Sequence, residues 1–313
     1  MSDKFLWVEK YAPTRIDDCV LPAKLKQEFL AITEIPNMLL IGDAGVGKTT
    51  VAKVLADTLN TDMLFMNAST ERGIDDVRNK IDSFASTTSL TGGYKVLLLD
   101  EADNLTMDAQ KALRALIEQY QNNCRFVLTC NYPYKLIDPL RSRLQEYCFS
   151  FPPNDKTIQN LFLKRLGKIL VEEKVHLKTE DLPVLQSLVR VCYPNWRKCI
   201  HELQRITTSG GVDANLVTQL ESNHISTLFE LMKAKNFSKV REWVAENLSD
   251  GVAPQEVISL LYGEMNNHLT TASCAQMVLV LAQYQHWAVD VADHEVNTTA
   301  CCVEIMMGAE WQS

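Results

Sequence analysis

The sequence predicts an α/β domain with a parallel sheet between helices, followed by two helical regions. Three observations predict it. Residues 1–150 alternate short apolar runs with segments of helical periodicity, the pattern of βαβ units. One run opens directly into Gly42-Asp-Ala-Gly-Val-Gly-Lys-Thr49, a loop of the form G-x-x-x-x-G-K-[ST]. At Pro152-Pro153 the alternation stops, and beyond it apolar residues recur only at helical spacing.

In chain order, the apolar runs at 37–41, 63–66, 96–99, 126–129 and 147–151 read as buried strands. The intervening patterns at 49–59, 74–86 and 106–120 read as helices. Residues 153–228 form a small helical domain, on the spacing of Ile158, Leu161, Phe162, Leu166, Ile169 and Leu170, with a loop at Gly210-Gly211. Residues 229–313 are helical again, with turn signals at Asp250-Gly251 and Pro254. The expected domains are therefore 1–152, 153–228 and 229–313.

At 313 residues the chain is long enough for two or three domains, and its 46% hydrophobic content is that of a globular protein. No apolar run approaches the length of a membrane span, and the N-terminal Met-Ser-Asp-Lys has no signal-peptide pattern. Nine scattered cysteines without C-x-x-C pairs read as reduced thiols in a cytosol-like compartment. The net charge of −8 is uneven: residues 229–313 hold 4 Lys/Arg against 11 Asp/Glu, whereas residues 151–228 hold 10 against 8. A chain this acidic is a poor general nucleic-acid binder, so any DNA contact needs a local basic surface.

Each fixed position of the glycine-rich loop has a physical job. The glycines, with Val46 between Gly45 and Gly47, let the backbone curl so that successive N–H groups point at phosphate oxygens. Lys48 supplies a point charge for the outer phosphates, Thr49 a hydroxyl for Mg²⁺, and Thr50 continues the helix whose positive end faces the anion. The run Lys95-Val-Leu-Leu-Leu-Asp100-Glu101-Ala-Asp103 is a buried strand ending in adjacent carboxylates. Asp100 suits the Mg²⁺ shell, through water, and Glu101 suits polarising a water for attack on the γ-phosphate of ATP. Asn131, at the end of the next strand, is placed to hold that water.

Together with Trp7-Val-Glu-Lys-Tyr-Ala-Pro13, Asn67-Ala-Ser-Thr-Glu-Arg-Gly-Ile-Asp-Asp-Val-Arg78, Ala109-Gln-Lys-Ala-Leu-Arg114, Leu140-Arg-Ser-Arg-Leu144 and Pro194-Asn-Trp-Arg-Lys198, these motifs run across the whole chain. In this combination the chain resembles an AAA+ ATPase subunit of a sliding-clamp loader. It is similar to the small subunits of replication factor C and the large subunit of T-even-like phage clamp loaders. The resemblance implies an AAA+ P-loop domain, a helical lid domain and an all-α collar domain that holds subunits together. It also implies ATP and Mg²⁺ as cofactors, and a cytoplasmic setting, that of the host cell if the chain is phage-encoded. The implied partners are a sliding clamp, primer–template DNA contacted through its backbone, further copies of the chain and a distinct clamp-loader subunit, in a five-subunit ring.

Residue by residue, the resemblance implies that Val8, Glu9, Lys10 and Tyr11, with Val20 opposite, enclose the adenine. Arg197 becomes a lid arginine on the γ-phosphate, and Arg143 an arginine finger offered to a neighbouring subunit's ATP. Arg72, Arg78 and Lys80 become DNA-backbone contacts, Gln110 ties its helix to the phosphate-loop side, and residues 84–93 face the clamp. Two departures from the family pattern are Ala12, where an Arg is usual, and Leu144, where a Cys is usual. Leu144 reads as a packing exchange. Alternative functions are another AAA+ replication ATPase, such as a helicase loader or branch-migration motor, and a scaffold subunit that binds ATP without turnover.

Overall fold

The computed structural model describes residues 5–70, 74–89, 93–152, 155–175, 178, 181–207, 212, 225–249, 252–288 and 291–312. The chain divides into two compact units, Met1–Asp213 and Ala214–Ser313.

The first unit begins with a single helical turn, α1 (Trp7–Lys10), and α2 (Ala23–Leu30). Then follow β1 (Met38–Ile41), α3 (Lys48–Thr58), β2 (Met63–Asn67), α4 (Ile74–Ala85), β3 (Lys95–Asp100) and α5 (Met107–Gln119). The sheet is completed by β4 (Cys124–Cys130) and, after the short α6 (Asp138–Arg141), by β5 (Gln145–Cys148). The strand order is β2-β3-β4-β1-β5, with every pair parallel. All carboxyl ends therefore lie along one edge, and β1 sits where the order reverses, between β4 and β5. In open α/β sheets that is where ligands bind.

The sheet is apolar on both faces, as a parallel sheet between helices must be. Leu39, Leu97, Leu99, Phe126 and Leu128 point to one side and pack with Ile81 and Ala85 of α4 and Ala109, Leu113 and Leu116 of α5. The alternate residues Met38, Leu40, Val96, Leu98 and Val127 face the other side, against Phe29 of α2 and Val51, Val54 and Leu55 of α3. Leu144 is buried in the first of these clusters, so the residue that departs from the family pattern packs as core.

Two expectations need correction. Neither α1 nor α2 was anticipated, because α1 is too short for periodicity and α2 buries only Leu25 and Phe29. The last strand occupies 145–148 rather than 147–151. As an edge strand it pairs only with β1, so polar Gln145 and Glu146 suffice at its start. At its end Phe149 turns inward against Phe29.

Three helices complete the first unit: α7 (Lys156–Glu172), α8 (Asp181–Cys192) and α9 (Trp196–Ile206). Asp155 caps α7 by accepting from Thr157 and Ile158 N–H, and Asn195 caps α9 by accepting from Lys198 N–H. The second unit holds α10 (Ile225–Lys233), α11 (Phe237–Ser249), α12 (Pro254–Glu264), α13 (Thr271–Trp287) and α14 (His294–Gly308) around one apolar core. All nine cysteines carry free thiols. Among the described residues, no helix is long and apolar enough to cross a membrane.

Phe126 is fully buried at the centre of the sheet. Phe126→Ala should cost about 3–5 kcal/mol through lost transfer energy and the cavity left behind. A urea titration reads this as a lower unfolding midpoint of the first unit; an unchanged midpoint would contradict the packing.

Candidate functional site

The loop between β1 and α3 has a backbone only glycine tolerates at two points. Gly42 passes so close to β5 that an added Cβ would stand 2.8 Å from Phe149 Cβ. Gly45 has φ +77° and its Cβ would lie 2.0 Å from Asn195 Oδ1. The loop ends on Gly47, and α3 begins at Lys48 with its first N–H groups directed along the positive end of the helix dipole.

Lys48 is 7% exposed. Its ammonium donates to Gly42 O, Asp43 O and Asn131 Oδ1, each at 2.8 Å. All three protons are thereby satisfied, which a buried cation requires. Burial draws the Lys48 pKa below its ordinary value, and the charges of Asp100, Asp43 and Asp103 oppose that shift.

Thr49 Oγ1 donates to Asp100 Oδ1 at 2.5 Å. The same oxygen accepts from Thr129 Oγ1 at 2.6 Å, and Thr129 Oγ1 in turn accepts from Glu101 N–H at 3.0 Å. Glu101 adopts a left-handed φ of 56°, a conformation that a non-glycine residue holds only where its surroundings enforce it. Asp103, buried behind it, accepts from the N–H groups of Asn131 and Tyr132 and so fixes the turn after β4. The hydroxyl and carboxylate oxygens of Thr49 and Asp100 are hard donors of the kind Mg²⁺ takes, and with Lys48 and the α3 N-terminus they fit a magnesium-bound polyphosphate.

Beside the loop lies a cavity. Val8, Tyr11, Val20, Gly45, Val46, Gly47, Thr50 and Arg197 line it. Lys48 and Thr49 face the strand tips instead. Glu9 and Lys10 do not reach the cavity: Glu9 is exposed on α1, and Lys10 Nζ donates to Glu173 at 2.7 Å. Alternate faces of a one-turn helix cannot all point inward, so only Val8 and Tyr11 do. Tyr11 OH also donates to Glu173; burial pushes that carboxyl up, but the bonds from Lys10 and Tyr11 outweigh it and hold it below its ordinary range.

Sequence reasoning missed the far wall. Phe162 and Arg165 of α7 and Trp196 and Ile200 of α9 line the cavity, with Phe162 stacked on Trp196 at 4.3 Å. Cys19 lines it too, its thiol pushed up to about 11 by burial and thus kept neutral. Thr129, Asp103 and Asn195 were also missed as site residues. Asp103 alone carried a signal, as the last carboxylate of Asp100-Glu-Ala-Asp103. The remaining contacts join residues far apart in sequence. The N–H groups of Trp196 and Arg197 both point at Gly45 O, at 3.1 and 3.4 Å, so α9 starts directly on the glycine-rich loop.

Four predicted residues lie elsewhere. Arg143, between α6 and β5, donates through Nε to Glu118 Oε1 at 2.6 Å and also bonds it through Nη2. Gln110 is buried in α5, and its partners are Leu105 O just before that helix and Lys135 O and Ile137 N–H on the loop after β4, not residues of the glycine-rich loop. Arg78 and Lys80 are exposed on α4, where Arg78 lies 3.7 Å from Asp82. Arg72 lies outside the described residues. Phe84 is half-buried beneath Lys95, whose ammonium sits 4.7 Å from the ring.

Thr129→Val keeps the shape of a buried side chain but removes a hydroxyl with two partners. It should cost about 1–3 kcal/mol of stability, because Glu101 N–H loses its acceptor. Any ATP turnover should fall at least about tenfold while ATP binding persists. Denaturant titration and a phosphate-release assay check the two halves.

A family model described as "ATPase family associated with various cellular activities (AAA)" matches residues 38–150. The chain is 33% identical to the replication factor C small subunit of Sulfurisphaera tokodaii, covering 99% of this chain and 98% of that protein. It is 36% identical to the same subunit of Archaeoglobus fulgidus, over 85% of each. It is 32% identical to the sliding-clamp-loader large subunit of Enterobacteria phage T4, over 87% of this chain and 92% of that protein. Among solved structures, the Thermotoga maritima RuvB Holliday junction branch migration motor aligns with a TM-score of 0.56 at 18% identity, over 67% of this chain and 72% of that one, a likeness of fold alone. With its glycine-rich loop, paired strand-tip carboxylates and relatives matched nearly end to end, the chain belongs to the clamp-loader family of AAA+ ATPases.

Proposed function

We propose that this chain is the ATP-hydrolysing subunit of a sliding-clamp loader that opens the clamp and loads it onto primer–template DNA. It would act in a spiral with further copies of itself and a distinct partner subunit, five subunits in all. Residues 1–152 would be the ATPase domain, 153–228 the lid and 229–313 the collar that joins subunits. The observation that carries the reading is a pair of adjoining hydrogen-bonded sets at the strand tips. They link Lys48 to Asn131, and Thr49 through Asp100 and Thr129 to Glu101. These are the parts that phosphoryl transfer to water requires, on three neighbouring strands and the loop that follows them.

In this reading the cavity takes the adenosine end of ATP, between Val8, Tyr11 and Val20 on one side and the lid helices on the other. Gly45, Val46, Gly47, Thr49 and Thr50 present N–H groups to the phosphates, and Lys48 exchanges its carbonyl partners for phosphate oxygens. Mg²⁺, held by Thr49 and through water by Asp100, would neutralise charge on the β- and γ-phosphates. Glu101 polarises the attacking water and Asn131 holds it. Arg197 lines the cavity from the start of α9, and its charge would report the γ-phosphate to the lid.

Arg143 does not line the cavity of its own chain, which favours a finger that acts on a neighbour's ATP. Arg78 and Lys80, with Arg72 beside them in sequence, would follow the DNA backbone, a contact that carries affinity without sequence preference. Gln110 links α5 to the loop that follows Asn131. That would be its route for coupling events on the α4–α5 surface to hydrolysis.

The test is ATP turnover by the chain reconstituted with clamp and partner subunit, with and without primer–template DNA. Stimulated turnover should fall about 10²–10⁴-fold in Glu101→Gln with ATP binding intact. In Arg143→Ala it should fall by a factor on the order of 10³–10⁵. Stimulation in Arg143→Ala equal to that of the native chain would refute the trans role. Failure of the assembly to retain clamp in the presence of ATP would refute clamp loading.

A further inference from the structure

Arg165 is the one charged lid residue of the cavity wall for which the ATPase chemistry has no task. It lies in the middle of α7, half-buried, and lines the cavity. Its Nη2 donates to Tyr11 O at 2.6 Å and its Nη1 to Asp18 O at 2.9 Å. These two carbonyls flank residues 12–17, and the residues at either end of that stretch, Tyr11, Ala12 and Pro13 before and Cys19 and Val20 after, line the same cavity. One guanidinium therefore spans the mouth of the segment that forms the N-terminal wall. Its planar fork can meet two acceptors at once, which the single point charge of a lysine cannot do in the same geometry.

Other contacts hold the segment from outside. Trp7 N–H donates to Gln204 Oε1 on α9, and Lys10 and Tyr11 OH donate to Glu173 just beyond α7. Those contacts keep the segment on the lid. Lys26 of α2 also donates, to Asp17 O and Cys19 O, while Arg165, which itself lines the cavity, joins Tyr11 O to Asp18 O from the lid.

We infer that Arg165 is a positioning residue of the nucleotide site. It registers the N-terminal wall of the base pocket against the lid helices and so sets how tightly the adenosine end is gripped, whatever the phosphate count. The inference rests on the reading that this cavity takes an adenine nucleotide. It separates two functions of the lid. Arg197 would sense the γ-phosphate and therefore distinguish ATP from ADP, whereas Arg165 grips both alike.

Equilibrium binding of ATP and ADP, by displacement of a fluorescent ADP analogue, distinguishes these roles in the native chain, Arg165→Ala, Arg165→Lys and Arg197→Ala. Arg165→Ala should weaken ATP and ADP by the same factor, about tenfold, a part of what its two charge-assisted hydrogen bonds contribute. Arg165→Lys should recover part of this loss, and Arg197→Ala should weaken ATP more than ADP. The nucleotide-free melting midpoint of Arg165→Ala should stay near that of the native chain, since the outer contacts remain.

Arg165→Ala binding ADP as tightly as the native chain would overturn the inference alone. So would a loss confined to ATP, which would make Arg165 a phosphate contact, or a lowered melting midpoint with unchanged affinity of the folded protein. A native chain that bound neither nucleotide would overturn the inference together with the reading beneath it.

Discussion

The site is organised around one buried charge. On the proposed reading Lys48 must stay protonated to serve phosphate, yet it sits almost out of solvent, where an unpaired ammonium would be costly. Gly42 O and Asp43 O curl around it and Asn131 Oδ1 closes the third position. That set of bonds ties the loop after β1 to the end of β4. It also dictates the glycine at 42, since the chain can bring those carbonyls inward only by passing against Phe149. A bound phosphate would replace protein acceptors with better ones, so the lysine is prepared for an anion at little reorganisation.

A second layer hangs on the first. Gly45 is left with a carbonyl facing outward, and the first N–H groups of α9 meet it. Asn195 crowds the same glycine while capping that helix. The α9 N-terminus therefore registers the shape of the glycine-rich loop directly. The N-terminal segment closes the circuit, because Arg165, Glu173 and Gln204 bind it to α7 and α9 while its inner residues line the cavity. On the proposed reading, nucleotide is enclosed by parts that lie up to two hundred residues apart, and its departure needs several of these contacts to open.

The carboxylates form a third arrangement. Asp100 is held by two hydroxyls, Thr49 on the loop and Thr129 on β4, and Glu101 is turned outward by a left-handed backbone that Thr129 stabilises. Arg143 stands apart, paired with Glu118 at the surface. An exposed pair of that kind is weak because solvent screens it, a small barrier against a neighbouring triphosphate. The proposed trans role thus requires little to be undone within the chain.

The fold class was legible in the sequence because apolar runs, helical periods and the glycine-rich loop are local patterns. The same holds for Lys48 and Thr49, which close the glycine-rich loop, and for Asp100, Glu101 and Asn131, each of which ends or follows a strand. What depends on direction was not legible. Alternation on a one-turn helix turned Lys10 to Glu173, and an edge position let polar Gln145 and Glu146 start β5. Gln110 found partners just before its own helix and after β4. Thr129, Asn195 and Arg165 look like a strand threonine, a cap and a helix-surface cation until the chain folds. Sequence by itself determined which chemical groups are present and which strand tips carry them. Only tertiary structure decided which distant groups meet, because burial obliges Lys48 to find partners wherever packing places them, and packing alone brings Thr129 to Asp100 and Arg165 to the carbonyls of Tyr11 and Asp18.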